Sequence, residues 1–207
     1  MEVWEKMKRA KGDDHPDTLW SMNGLAYTYS EQGSWKEAEE LQLVLLEKRM
    51  RVLGYDHDTL ETMADLAVTY RNQGNWKAAD MIDVLVLESR RQVLGDNDPD
   101  TLQSLEYLAA TYLLQGNWKE AEALEVVVLE RRKQVLGDDH PDTLNGMSCL
   151  AVTYSKQARW KEAEALEMEV LEKRKQALGD DHPHTLKGMA SLADIYETQG
   201  RWKEAER

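Results

Sequence analysis

The sequence predicts an all-α protein built from a stack of antiparallel helix pairs. Its 207 residues repeat with a period of 42, because five tryptophans and five threonines each recur at steps of 41, 42, 42 and 42 residues. The recurring residues are Trp35, Trp76, Trp118, Trp160 and Trp202, and Thr18, Thr59, Thr101, Thr143 and Thr185. A fixed period of this length is typical of arrays in which each repeat packs on the next. No stretch shows the apolar–polar alternation expected of a β-strand.

One step in the array is a residue short. Residues 54–60 read GYDHDTL where residues 12–19 read GDDHPDTL, so the second copy lacks the residue that corresponds to Pro16. We therefore predict one repeat array over residues 1–207. Its parts are a partial helix at 1–11, repeats at 12–54, 55–95, 96–137 and 138–179, and a partial repeat at 180–207.

The first helix of each repeat is predicted to begin after DHPDTL. Proline suits the first turn of a helix, and aspartate suits the positive end of its dipole. In the first repeat, apolar residues then recur at three- and four-residue steps, and Gln32-Gly33 ends the helix. The apolar face consists of Leu19, Met22, Leu25, Ala26 and Tyr29.

The second helix is predicted to run from Trp35 to about Leu53, with Gly54 as its stop. Its apolar stripe is Trp35, Ala38, Leu41, Leu45 and Val52. Small Ala26 and Ala38 should allow the paired helices to approach closely, and the recurring tryptophans should fill the core. The Lys/Glu alternation of this helix, as in residues 47–51, is interpreted as a solvent-exposed face of i,i+4 pairs.

Three motifs recur and together carry a resemblance. L-A-x-x-Y stands in all five copies, as at residues 25–29, and is followed by Gln-Gly and then by W-K-E-A-E, as at residues 118–122. This pattern resembles the tetratricopeptide repeat in its 42-residue, kinesin-light-chain-like form. The repeat sequence is also similar to the C-terminal repeats of fungal and bacterial NOD-like receptors. The departures are Gln157-Ala158 for Gln-Gly and residues 76–80, which lose a glutamate. The resemblance implies a right-handed superhelical solenoid whose first helices line a concave groove.

The resemblance also implies which residues face the groove. The residues at these positions differ from one repeat to the next, although the other motif residues recur. This variation favours partner binding over an unconstrained surface. The candidate binding residues are Trp20, Asn23 and Tyr27 in the first repeat, Glu61, Asp65 and Arg71 in the second, Glu106, Tyr107 and Leu113 in the third, Asn145 and Cys149 in the fourth, and Lys187, Ser191 and Asp194 in the fifth.

Acidic residues outnumber basic ones at these positions. Glu61, Asp65, Glu106 and Asp194 stand with Glu197 against Arg71 and Lys187. Like-charge repulsion disfavours an acidic ligand. We therefore predict a protein or peptide partner that is basic or mixed polar, with an apolar anchor near Tyr27, Tyr107 and Leu113.

Composition excludes several other functions. With 39 acidic and 26 basic side chains the net charge is −13, which argues against nucleic acid or an anionic membrane as partner. No catalytic constellation or phosphate-binding loop occurs, so we predict no enzyme, no catalytic residue and no cofactor. The Asp-Asp-His connectors, as at residues 13–15, are interpreted as helix caps and not as metal ligands. One cysteine and no secretory signal predict a cytoplasmic protein.

Three functional hypotheses remain open. The first is a ligand-sensing repeat segment of a NOD-like receptor, the second a kinesin-light-chain-like adaptor that binds linear peptides, and the third a purely structural or engineered array. The chain ends lie within repeats. Because such ends leave apolar residues uncapped, with Val3, Trp4 and Trp202 expected to be exposed, we predict head-to-tail self-association of residues 201–207 with residues 1–11.

Overall fold

Every regular element in the described part of the chain, residues 2–205 of a computed structural model, is an α-helix. Eleven helices are present there, and none is long and apolar enough to cross a membrane. They are α1 (Glu2–Lys11), α2 (Pro16–Glu31), α3 (Trp35–Leu53), α4 (His57–Asn72), α5 (Trp76–Leu94), α6 (Pro99–Gln115), α7 (Trp118–Leu136), α8 (Pro141–Lys156), α9 (Trp160–Leu178), α10 (Pro183–Thr198) and α11 (Trp202–Ala205). The predicted all-α class is confirmed.

The helices form two compact units, one ending at Gln115 and the other beginning at Gly116. In the first unit each helix from α1 to α6 packs on the next, and α4 also contacts α6. In the second unit α7 to α11 pack in the same consecutive order, and α8 also contacts α10. The first helices α4 and α6, and likewise α8 and α10, therefore lie side by side.

The connectors cap the first helices, as the sequence predicts. The Nδ1 atoms of His15, His140 and His182 accept hydrogen bonds of 3.1, 3.2 and 3.2 Å from backbone N–H groups two residues ahead. In α4 and α6 an aspartate takes the same place, because Asp56 and Asp98 accept backbone hydrogen bonds of 2.9 Å. Imidazole and carboxylate are thus interchangeable acceptors at this position.

The turn between the paired helices requires a left-handed residue. Gly33, Gly74, Gly116 and Gly200 occupy it with φ between 73° and 81°. In the fourth repeat Ala158 adopts φ 59° instead. A side chain with Cβ disfavours this region, so the repeat frame holds Ala158 in a strained conformation.

Small residues bring the paired helices together, as predicted, because Ala26 and Ala38 are 1% and 0% exposed. Two other sequence predictions are wrong. Val52 does not belong to the core and is 50% exposed, because it lies on the last turn of α3. The tryptophans are only partial core fillers, because they open the second helices at the turn, where Trp76 and Trp118 are each 40% exposed.

The N-terminal helix also differs from expectation. Trp4 packs against a core cluster that includes Leu19, Met22 and Leu45, although an exposed end was predicted for it. Val3 and Trp202 are exposed, at 64% and 61%. Met1, Glu206 and Arg207 lie outside the described residues, so the head-to-tail contact stays a prediction.

A row of buried arginines lies where the sequence indicated a solvent-exposed face. Arg49, Arg90, Arg132 and Arg174 recur at one position of the second helices and are 3% to 9% exposed. Each donates from Nη1 to a backbone carbonyl at the start of the following helix, over 2.7 Å to Asp58, 3.1 Å to Asp100, 3.1 Å to Asp142 and 3.4 Å to His184. A guanidinium can reach this carbonyl and leave its charge hydrogen-bonded, which makes burial tolerable.

Candidate partner-binding surface

Several of the predicted groove residues are exposed on the first helices. Trp20 and Tyr27 on α2 are 76% and 61% exposed, and Glu61 on α4 and Gln103 on α6 are also exposed. Positions seven residues apart share one side of a helix. Residues between them, such as Asn23 and Asp65, are only half-buried. Each first helix therefore presents a narrow stripe of variable side chains.

Tyr27 and Asp65 meet at a pocket in the first unit. The pocket has a volume of about 150 Å³ and lies between α2 and α4, with α3 as its floor. It is lined by Tyr27, Ser30, Glu31, Trp35, Gln42, Asp65, Val68 and Asn72. Tyr27 and Asp65 are both predicted groove residues, and the packing of α2 and α4 against α3 joins them in one pocket.

The Asp65 carboxyl is electrostatically unusual. Burial raises its pKa from 3.8 to about 6, and the neighbouring Glu61 carboxylate acts in the same direction. Arg49 and Arg90 oppose the shift without overcoming it. Among residues 2–205, none donates a hydrogen bond to this carboxylate. Burial therefore disfavours the ionised form of this acid in the pocket wall, although two arginines attract it.

Arg71 does not present the positive charge that the sequence suggested. Its side chain is 8% exposed, and Nη1 lies 2.6 Å from Oδ2 of Asp83, whose side chain is 2% exposed. Thr111 donates to the same carboxylate oxygen over 2.6 Å, and the Arg71 guanidinium stacks on the Tyr107 ring at 5.2 Å. Burial raises the pKa of Asp83, while Arg71 and Thr111 act against that shift. These residues join α4, α5 and α6, and Arg71 is a structural residue.

The expected apolar anchors differ in accessibility. Tyr107 is half-buried and covered by Arg71, and Leu113 on the same helix is also half-buried. Glu106 is half-buried on α6. Tyr27 is the exposed member of the three predicted anchors. The structure therefore concentrates accessible aromatic surface on α2.

Trp20 lines a second pocket near the start of α2. This pocket, of about 320 Å³, has apolar walls that include Trp20, Leu19, Val52 and Leu53. Acidic residues also line it, but they are engaged. Asp14 forms ion pairs with Lys48 and Arg51 at 2.9 and 2.6 Å, Asp17 pairs with Lys11, and Asp56 caps α4. The overhanging turn of α3, which the sequence analysis had assigned to the core, thus supplies one wall.

The second unit carries the remaining candidates on α8 and α10. Asn145, Cys149, Lys187 and Asp194 are exposed, and Ser191 is half-buried. The Asn145 side chain accepts a hydrogen bond of 2.8 Å from Nη2 of Arg174. Because α8 and α10 lie side by side, these residues share one side of the second unit.

A cluster of potential metal ligands occurs at the start of α4, outside the connectors considered from the sequence. His57, Asp58 and Glu61 place ligand atoms within 4.8 Å of one another, and His57 Nδ1 lies 3.5 Å from Asp100 Oδ2. The three side chains are exposed on one turn, and the positive end of the helix dipole opposes a cation there. We assign no metal to this cluster.

Comparisons with solved structures agree with the helix-pair architecture. A kinesin light chain-like protein of Podosopora anserina with nearly identical TPR-like repeats shares 27% identity over 93% of this chain and 92% of its own, with a TM-score of 0.77. NprR in complex with its cognate peptide NprX is 18% identical over 99% of this chain and 58% of its own, with a TM-score of 0.72.

A third structure belongs to a larger protein. The Pyrococcus horikoshii signal transduction ATPase with numerous domains, which has a tetratricopeptide repeat sensor, is 16% identical, with a TM-score of 0.66. The match covers 99% of this chain and 31% of that protein. No curated protein sequence gave a significant match.

The family comparison covers most of the chain. One Tetratricopeptide repeat family model matches residues 18–58, 59–100, 101–142 and 143–184, and a second Tetratricopeptide repeat model matches residues 189–207. Together with the tandem helix pairs, these matches show that the chain belongs to the tetratricopeptide repeat family.

Proposed function

We propose that the chain is a protein-interaction scaffold that binds a basic or mixed polar segment of a partner along the first helices of its repeats. The observation that carries this proposal is the Asp65 carboxyl, which lies in a pocket wall beside exposed Tyr27 and receives no hydrogen bond within residues 2–205. Burial raises the pKa of this carboxyl to about 6, so its charged form is disfavoured in the pocket wall. A ligand cation would satisfy it.

The apolar part of the ligand is assigned to the Trp20 pocket. Trp20 and Tyr27 lie seven residues apart on α2, which is about 10 Å along the helix axis. An extended peptide covers this distance in about three residues. We therefore expect a basic residue and an apolar residue about three positions apart in the ligand.

Peptide display on the whole 207-residue chain tests this proposal. Selection against the unmodified chain is run beside counter-selection on the double variant Asp65→Lys with Glu106→Lys. We expect a basic sequence motif that the double variant no longer enriches. Equal enrichment of one motif by both proteins would contradict the assignment to the first helices.

The biological setting separates two versions of the proposal. Similarity to the kinesin light chain-like repeats at 27% identity supports an adaptor that binds linear peptides. The repeat sensor of the Pyrococcus horikoshii protein, similar in fold, supports the ligand-sensing segment of a NOD-like receptor. An adaptor should select linear peptides, whereas a receptor segment should select folded domains from a domain library. A cytoplasmic location agrees with one cysteine in 207 residues.

A further inference from the structure

We propose that the pocket between Tyr27 and Asp65 binds the cationic side chain of a lysine or arginine of the ligand. The inference rests on the proposed function, since it assumes a partner segment along α2 and α4. Tyr27 would then contact a cation of the ligand, whereas the sequence predicts that it contacts an apolar anchor.

The size of the pocket suits a single side chain. Its volume of about 150 Å³ is below the range of about 300–1,000 Å³ that is typical of pockets for drug-sized ligands. The floor is formed by Trp35 and Gln42. Gln42 is 3% exposed, and its Oε1 accepts a hydrogen bond of 2.8 Å from Thr69. The floor is therefore fixed by packing between α3 and α4.

The chemistry of the walls selects a positive charge. Asp65 and Glu31 provide two carboxylates, and Tyr27 provides an aromatic ring that is 61% exposed. A cation over a tyrosine face is attracted by the ring, and a carboxylate beside it adds a charged acceptor. Arg71 does not neutralise this pocket, because its guanidinium is held by Asp83 at 2.6 Å.

Protonation of Asp65 should compete with the ligand cation. Several charged or titratable groups act on this carboxyl or line the pocket beside it. They are Arg49 on α3, Glu61 on α4, Arg90 on α5, Tyr107 on α6, and Tyr27 and Glu31 on α2. With a pKa of about 6, Asp65 is mostly ionised at pH 7 and mostly protonated at pH 5. Because a cation favours the ionised form, affinity should fall about tenfold from pH 7 to pH 5.

Nuclear magnetic resonance titration of the whole chain tests the pocket directly. The probes are N-acetyl-lysine amide, N-acetyl-arginine amide and neutral N-acetyl-norleucine amide, and the signals are the backbone amides of Asp65, Val68 and Asn72. We expect saturable shifts with both cationic probes and none with norleucine. Asp65→Asn should weaken binding by about tenfold or more and remove its pH dependence. Tyr27→Ala should weaken it about two- to fivefold.

Glu40→Gln is the matched control, since it removes one exposed carboxylate from α3 in the same unit, outside the pocket. Thermal unfolding establishes that each variant is folded, and the norleucine comparison on the unmodified chain needs no variant. Equal shifts with norleucine, or lysine binding that Asp65→Asn leaves unchanged, would overturn the pocket assignment.

Peptide display separates failure of this inference from failure of the proposed function. A basic motif that is lost in the Asp65→Lys, Glu106→Lys variant but is enriched equally by Asp65→Asn would refute the cation pocket and leave the proposed function standing. Basic residues that are enriched by the unmodified chain and not by Asp65→Asn would support both.

Discussion

Replacement of Asp65 by asparagine should stabilise the protein at neutral pH. The Asp65 carboxyl binds its proton more tightly in the folded chain, since burial raises its pKa from 3.8 to about 6. Its contribution to stability is therefore complete below about pH 3.8 and is lost as the pH rises to about 6. Asparagine is a permanently neutral side chain of nearly the same shape, so it avoids this loss.

The magnitude follows from the two pKa values. The difference between 3.8 and about 6 corresponds to an upper limit of about 3 kcal/mol. Asp65 is half-buried, so solvent screens part of this cost. We therefore expect Asp65→Asn to raise the free energy of unfolding by about 1–2 kcal/mol at pH 7.

Urea unfolding of both proteins between pH 4 and pH 7.5 measures the effect. The difference in unfolding free energy should be close to zero at pH 4, grow between pH 4 and pH 6, and then stay constant. Other carboxyl groups titrate in both proteins and cancel. A difference that does not change with pH, or a variant that is less stable at pH 7, would refute the burial argument.

Three further predictions concern the left-handed turn, the helix cap and the buried ion pair of the repeats. Ala158→Gly should stabilise the second unit by about 0.5–1 kcal/mol in thermal unfolding, because it relieves the strain of a left-handed residue at φ 59°. Gly200→Ala, at φ 73°, should destabilise it. A change of stability in the same direction for both variants would contradict the explanation. His140→Ala should cost about 1 kcal/mol by urea unfolding, whereas His140→Asp should not, because Asp98 caps α6 in the same place; equal losses would exclude a capping role. Asp83→Ala should cost about 3–5 kcal/mol, since it leaves the Arg71 charge buried without its carboxylate; the pair Arg71→Met with Asp83→Leu should recover most of this loss, and a failure to recover it would contradict the ion-pair explanation.

Features that depend on a single repeat were predictable from the sequence. The 42-residue period, the start of α2 after the connector and the close approach at Ala26 and Ala38 all follow from local spacing. Connector capping was also predictable, because polar side chains before a helix are its usual caps. These features need only helix geometry and the order of apolar residues.

Features that depend on a neighbouring helix were not predictable. The spacing around Arg49 is the same as that of a solvent-exposed helix face, and its burial is decided by the carbonyl of Asp58 on α4. Arg71 occupies a position with an exposed counterpart, Glu197, yet Asp83 and Thr111 hold it in the interior. Val52 fits an apolar stripe, but it lies on the last turn of α3 and is 50% exposed.

The candidate binding surface shows the same division. The variable positions of the first helices could be identified from the resemblance, and so could their excess of acid. The pocket at Tyr27 and Asp65 also needs the register of α2 against α4, which a single sequence does not contain. The acidic character of the surface was therefore predictable from the sequence, whereas the pocket that selects a side chain depends on how the helices pack.

The affinity of one display-selected peptide tests the central claim most directly. Fluorescence polarisation is measured with the unmodified chain, with the first-helix variant Asp65→Lys, Glu106→Lys, and with the second-helix variant Glu40→Lys, Glu88→Lys, which makes the same charge change at exposed positions of α3 and α5. The account predicts at least a tenfold loss of affinity for the first-helix variant and less than a twofold change for the second-helix variant. Equal losses in both variants, or no loss in the first, would contradict the claim that the first helices bind a basic partner.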